Sequence, residues 1–148
     1  MMATAKAKPT LTLLVEDSPI DVKMTRAALE GRPRHHQLSV ANDGQHALAY
    51  LRGEGAYAGS ERPDLVLLDL NLPRLDGHGV LAAIRSHPEL RLLPVVVLTS
   101  SQSTEDIRLA YEGGANCYVT KPADVDEFLS AVRIVHEFWC DTVSRSPA

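Results

Sequence analysis

Short apolar runs alternate with helix-like segments five times along this chain. Leu11–Val15 and Val95–Leu98 are nearly continuous in apolar character, and Leu65–Leu70 is interrupted only by Asp69. Runs of this kind mark strands buried on both faces of a sheet, whereas the alternation of Leu38 and Val40 with polar neighbours marks a half-exposed edge. Cys117–Val119 supplies a short fifth strand. Strands one, three and four are therefore expected at the centre and strand two at an edge.

The helices announce themselves by their caps. Ser18-Pro19-Ile20-Asp21 reads as a helix start, with Ser18 at the N-cap, Pro19 in the first helical position and Asp21 completing a capping box. Ile20, Met24, Ala27 and Ala28 then recur on one face. Asp43 precedes Gly44, Ala47, Leu48 and Leu51 at helical spacing, and Asp76 caps a helix carrying Val80, Leu81 and Ile84. Ser103–Asp106 forms a second capping box, Gly113-Gly114 ends that helix, and Asp124–Glu127 opens the last one. In the last helix Val125, Phe128, Leu129, Val132, Val135 and Trp139 share the face expected to pack on the sheet. Ala131, Ile134 and Phe138 form a second stripe. A helix on a sheet needs one apolar face, so this stripe is read as exposed and as a two-fold contact between two copies of the chain. The competing reading has the C-terminal tail folded over it.

Strand–helix alternation predicts an α/β fold: a doubly wound, five-stranded parallel sheet of order 2-1-3-4-5 with helices on both faces. A chain of 148 residues suits one such domain. The domain is expected over 11–143, with a disordered lead-in over 1–10 and a tail over 144–148. A net charge of -4 gives no global attraction to nucleic acid or to an anionic membrane. No apolar run reaches the length of a membrane span, and the opening lacks the apolar core of a secretory signal, so a cytoplasmic location is expected. Cys117 and Cys140 have no CxxC spacing and read as free thiols. His35-His36 reads as part of a solvated turn, and 53–62 as a polar, glycine-rich loop.

Chemistry concentrates at the carboxyl ends of the strands, where such sheets bind ligands. Strand one ends in Glu16-Asp17, strand three in Asp69, strand four in Thr99-Ser100 and strand five in Lys121-Pro122. Asp69 closes a strongly apolar strand, where a charge needs a reason. Converging carboxylates repel one another unless a cation, a proton or a lysine stands among them. Oxygen ligands without histidine or cysteine suit a hard divalent ion, with Mg2+ the common choice. Lys121 adds positive charge and Thr99 a hydroxyl, and the set describes a cradle for a phosphoryl group on Asp69.

The segments LLVEDSPID, PDLVLLDLNLPRLDGHGVL, PVVVLTSS and GANCYVTKP carry a resemblance to the receiver domain of bacterial two-component response regulators, over about 11–135. The resemblance implies a flavodoxin-like fold and phosphorylation of Asp69 by a sensor histidine kinase. It implies Mg2+ held by Glu16, Asp17, Asp69 and the main-chain carbonyl of Asn71. It implies Thr99 as the switch hydroxyl, Tyr118 as the switch aromatic, Lys121 as the lysine of the motif, and Pro73 and Gly77 in the loop after the phosphorylated strand. It also allows a cis peptide at Lys121-Pro122. Glu16 departs from the aspartate of many receivers but keeps the charge. The loop 53–62, the NLPRLDGHGVL segment and Phe138-Trp139 most resemble stand-alone regulators that partner bacterial phytochromes, which implies a bacteriophytochrome as the kinase.

Other classes fit less well. A haloacid-dehalogenase-type phosphohydrolase needs a second aspartate two residues after the nucleophile, and Asn71 occupies that place. A nucleotide-binding domain needs a glycine-rich phosphate loop, whereas Glu16-Asp17-Ser18-Pro19 is acidic. A receiver-like adaptor that never takes phosphate is disfavoured by the complete site.

Overall fold

The computed structural model describes residues 9–30 and 36–147. Most of the expected lead-in (1–8), the stretch Arg32-Pro33-Arg34-His35, and Ala148 of the expected tail lie outside the described residues.

Five strands, β1 (Thr10–Val15), β2 (His36–Ala41), β3 (Leu65–Leu68), β4 (Val95–Thr99) and β5 (Cys117–Thr120), alternate with α1 (Pro19–Leu29), α2 (Gly44–Arg52), α3 (Gly77–Ser86), α4 (Thr104–Glu112) and α5 (Val125–His136). A short 3-10 turn (Gly55–Tyr57) sits in the expected loop, and a wider helical turn (Glu137–Thr142) continues α5. All four strand pairings are parallel and the order is β2-β1-β3-β4-β5, as expected. β3 and β4 are buried along their whole length, and β2 lies at an edge with most of its residues partly exposed. Each buried Leu or Val of the central strands contributes roughly 1.5–3 kcal/mol.

The two sheet faces carry different helices. Leu13, Val15, Val66, Leu68, Val95 and Val97 pack with Ala47 and Leu48 of α2, Val80, Leu81 and Ile84 of α3, and Ala110 of α4. On the other face Leu98 packs with Ala28 and Leu29 of α1 and Phe128 and Val132 of α5. Ser18, Asp43, Asp76, Ser103 and Asp124 each cap their helix by accepting from a backbone N–H three residues on.

Several local expectations need correction. Ile20 is 70% exposed and Ala27 is exposed; the buried positions of α1 are Thr25, Ala28 and Leu29. The apolar spacing there was ambiguous because α1 packs beside α5 as well as on the sheet, which moves its inner face. Val125 is 54% exposed: it is the first residue of α5 and precedes the positions, Phe128 and Val132, that pack with α1 and Leu98. His36 opens β2 rather than lying in a solvated turn, and its ring meets that of His136 edge-on at 5.1 Å. Among the described residues no peptide bond is cis, so Lys121–Pro122 is trans.

Candidate functional site: an acidic pocket at the carboxyl ends of the strands

The sheet register fixes where the polar strand ends meet. Val15 lies opposite Leu68, Leu68 opposite Val97, and Thr99 opposite Thr120. The ladder runs one residue further at each junction: Glu16 N–H donates to the Ala41 carbonyl, Asp69 N–H to that of Val15, and Lys121 N–H to that of Thr99. Backbone pairing thus holds Glu16, Asp69 and Lys121 at one rim.

Their side chains converge. Lys121 Nζ donates to Glu16 Oε1 at 2.5 Å, to Asp21 Oδ2 at 2.7 Å and to Asp69 Oδ2 at 3.1 Å. The second oxygens are also engaged: Glu16 Oε2 accepts from Ser18 N–H at 3.1 Å, and Asp69 Oδ1 from Asn71 N–H at 3.2 Å. Glu16, Asp69 and Thr99 are buried, whereas Asp17 and Asn71 are exposed at the mouth. Glu16, Asp17 and Asp69 each offer a carboxylate oxygen, and these oxygens lie within 4.8 Å of one another. An all-oxygen donor set with one member open to solvent fits a hard divalent cation that keeps part of its water shell.

The electrostatics follow from that crowding. Burial raises the Glu16 pKa, the Lys121 hydrogen bond opposes the rise and the Asp69 charge adds to it, leaving the carboxyl at about 7. Burial also works against ionisation of Asp69, but the Lys121 charge and the Thr99 hydroxyl outweigh it and hold Asp69 below the usual carboxylate range. Burial disfavours the Lys121 charge, yet hydrogen bonds to Asp21 and Glu16 prevail and keep it firmly protonated. The pocket therefore holds an ionised aspartate beside a permanent cation, with a glutamate that trades its proton near neutrality.

The loop after β3 is shaped for close approach. A Cβ at Gly77 would stand 2.3 Å from the Asp69 carbonyl oxygen, so only glycine lets α3 start there. Arg74 has φ +69, a left-handed conformation that is uncommon outside glycine.

Two residues of the site carry only a cap signal in the sequence. Asp21 and Asp106 occupy the last position of the two capping boxes, and their N–H groups do donate to Ser18 and Ser103. Their carboxylates do not return the bond. Asp21 reaches Lys121, and Asp106 accepts from Ser101 Oγ at 2.6 Å and contacts His78 Nε2 at 3.1 Å. A box closed with aspartate, one carbon shorter than glutamate, was the available signal. Tyr118 lies against the core, and its hydroxyl donates to the Ser101 carbonyl at 2.9 Å. Of the second stripe on α5, Ile134 is 63% and Phe138 49% exposed, and Ala131 is partly covered.

Residues 12–133 match the family model described as the response regulator receiver domain. The chain is 41% identical over 143 residues to the response regulator Rcp1 of Synechocystis sp., covering 97% of each chain. It is similar to the crystal structure of the phosphorylated cyanobacterial phytochrome response regulator RcpA, with a TM-score of 0.92, 42% identity and coverage of 95% of this chain and 100% of that one. It is also similar to the Mn2+-bound form of Rcp1, with a TM-score of 0.90, 41% identity and coverage of 94% and 100%. Among the described residues no helix is long and apolar enough to cross a membrane. The fold, the acidic pocket and these matches together make the chain a member of the response regulator receiver family, which signals in two-component systems by phosphorylation on an aspartate and binds a divalent metal at an acidic pocket.

Proposed function

We propose that Asp69 is the phosphoacceptor, taking its phosphoryl group from the phosphohistidine of a sensor histidine kinase. The observation that carries this is Asp69 itself: a buried carboxylate held ionised between Lys121 and Thr99 at the end of an apolar strand. A carboxylate oxygen forms the bond to phosphorus as the phosphorus–nitrogen bond to histidine breaks, and the imidazole leaves with that electron pair. Lys121 and the Thr99 hydroxyl stand where the phosphoryl oxygens arrive and stabilise their charge. Glu16, Asp17, Asp69 and the Asn71 carbonyl would hold Mg2+, which supplies charge neutralisation to the transferring group. Loss of the phosphoryl group to water needs no further enzyme in this reading.

Phosphorylation adds roughly -1.5 to -2 charges and strong acceptor oxygens. These draw on the Thr99 hydroxyl and favour the inward position of Tyr118, which exposes the change on the α4–β5–α5 surface. The protein then acts by that change of shape or by passing the phosphoryl group on. The exposed Ile134 and Phe138, with Ala131, support a homodimer through α5. The similarity to RcpA, named for a phytochrome, supports a bacteriophytochrome as the kinase. The receiver spans 11–143 in this reading and works in the cytoplasm, where such a kinase presents its phosphohistidine.

The decisive experiment is labelling of Asp69→Asn by acetyl phosphate or kinase in Mg2+. Acid-labile label is expected to vanish while the circular dichroism spectrum stays unchanged; label persisting at wild-type level overturns the assignment. Ile134→Asp with Phe138→Asp is expected to give a folded monomer by light scattering. A monomeric wild type, with and without phosphorylation, removes the homodimer.

A further inference from the structure

We infer that His78, on the first turn of α3, is a positioning residue for the switch, acting through Asp106 and Ser101 to hold Tyr118 inward.

The β4–α4 connection, residues 100–103, has little of its own to fix it. Ser100, Gln102 and Ser103 are exposed, and the segment makes no strand or helix. Its position is set by a chain of side-chain bonds instead. His78 Nε2 meets Asp106 Oδ1 at 3.1 Å across the gap between α3 and α4. The other oxygen of Asp106 accepts from Ser101 Oγ at 2.6 Å, and Ser101 Oγ in turn accepts from Ser103 N–H at 3.3 Å. Ser101 is thereby held by its side chain while its carbonyl accepts the Tyr118 hydroxyl at 2.9 Å. On the upstream side Ser101 N–H points to Thr99 Oγ1 at 3.5 Å, and Thr99 is the hydroxyl against Asp69.

The direction of the effect follows from which bonds depend on which. Tyr118 gains its inward hydrogen bond only if the Ser101 carbonyl is in place. The bond to Asp106, at 2.6 Å, is the shortest of those that place Ser101, against 3.3 Å for Ser103 and 3.5 Å for Thr99. Asp106 is a short side chain on the first turn of α4, and with one oxygen committed to Ser101 the other needs a donor to fix its rotamer. His78 is that donor. Each bond is half-exposed and worth little alone, but in series they act on one loop. A bias toward the inward arrangement before phosphorylation raises affinity for anything that binds that arrangement, by the same factor. α3 is thus part of the switch although it touches neither Asp69 nor Tyr118 through His78.

This inference rests on Thr99 and Tyr118 being the switch, and the test separates the two ideas. The chain carries 3-fluorotyrosine, and Tyr118→Phe assigns the Tyr118 fluorine resonance among the four tyrosines. Wild type, His78→Phe, His78→Gln and Asp106→Asn are compared in Mg2+, first without and then with beryllofluoride as the phosphoryl mimic. Without beryllofluoride, His78→Phe is expected to lower the inward Tyr118 population about fivefold, near the low end of couplings between sites. Asp106→Asn should do the same, and the double variant no more than either. His78→Gln, which keeps an N–H donor, should restore most of the signal, a rescue that loss of ring packing does not predict. Beryllofluoride affinity should fall by the same factor in His78→Phe. Equal Tyr118 populations in wild type and His78→Phe overturn the role of His78, whatever beryllofluoride does. A wild-type resonance that ignores beryllofluoride overturns the switch reading instead, while the ligand-free comparison still decides the role of His78.

Discussion

Each end of the sheet holds a cation largely withdrawn from water, and the two are treated in opposite ways. At the amino ends of β4 and β5, Arg85 donates to the carbonyls of Gly114, Arg91 and Leu93 and to Asn116 Oδ1, at 2.7–3.0 Å. Every acceptor is neutral, and the fork of the guanidinium matches them one by one. At the carboxyl ends Lys121 faces Glu16, Asp21 and Asp69, all carboxylates, with Asp17 beside them. A cation among neutral dipoles is a finished structure. A cation outnumbered by carboxylates leaves negative charge over, and that surplus is what admits a divalent ion or a proton. The first arrangement holds two strands and a helix together; the second is stable enough to fold yet open to a ligand.

The comparison breaks most sharply at Lys121. Lys121→Met leaves the carboxylates facing one another and should cost about 4 kcal/mol in metal-free denaturation at neutral pH, the range for removing one partner of a buried pair. Part of this should return on adding Mg2+, and phosphorylation should be lost. A variant as stable as wild type in chelator would mean that Lys121 does not offset the acidic charge.

The next largest effect is in pH. In the metal-free protein Glu16 keeps its proton up to about pH 7, while the unfolded chain loses it near 4.5. The folded state then binds more protons across that window, so stability falls as pH rises through it, by an amount on the order of 3 kcal/mol at most. Urea midpoints measured in chelator should drop between about pH 5 and about pH 7.5. Glu16→Gln should flatten the profile, and Mg2+ should flatten it too by taking the place of the proton.

Arg85→Ala tests the other end. It strips donors from four acceptors, some of which water can reach, and should cost about 2 kcal/mol with no change in the rate of phosphorylation. Arg85→Lys should recover less than half, because a point charge with three donors cannot reproduce the planar fork. A change in labelling rate without a change in stability would join the two ends and contradict their separation. Smallest is Asp17→Asn. It relieves carboxylate crowding and should raise metal-free stability by about 1 kcal/mol while weakening Mg2+ in a fluorescence or calorimetric titration. Unchanged Mg2+ affinity would remove Asp17 from the ligand set.

The strand order and the site's core residues were legible because they are written locally. Continuous runs such as Val95–Leu98 identify central strands, and topology then brings their ends together. Faces and second partners were less legible, for a physical reason. Ile20 and Val125 fit an apolar period but sit in the first turns of α1 and α5, ahead of the buried positions, and a period alone does not mark where along a helix burial begins. The carboxylates of Asp21 and Asp106 follow the local rule for a cap in their backbone and break it in their side chains, because a partner 100 or 28 residues away competes better. Arg85 carries no motif at all; its acceptors are backbone carbonyls that exist as a set only after α3, β4 and β5 have come together.

Lys121 lies 105 residues after Glu16 and 52 after Asp69. During synthesis the chain leaves the ribosome amino end first, and a domain folds as a unit once its parts have emerged. The acidic side of the pocket is therefore made long before its counter-charge, which arrives on the last strand. Until β5 pairs with β4, no lysine offsets the cost of burying the Asp69 charge. Closure of the acidic pocket therefore waits for β5 to join the sheet, although every carboxylate in it lies at least 52 residues before Lys121 in the chain.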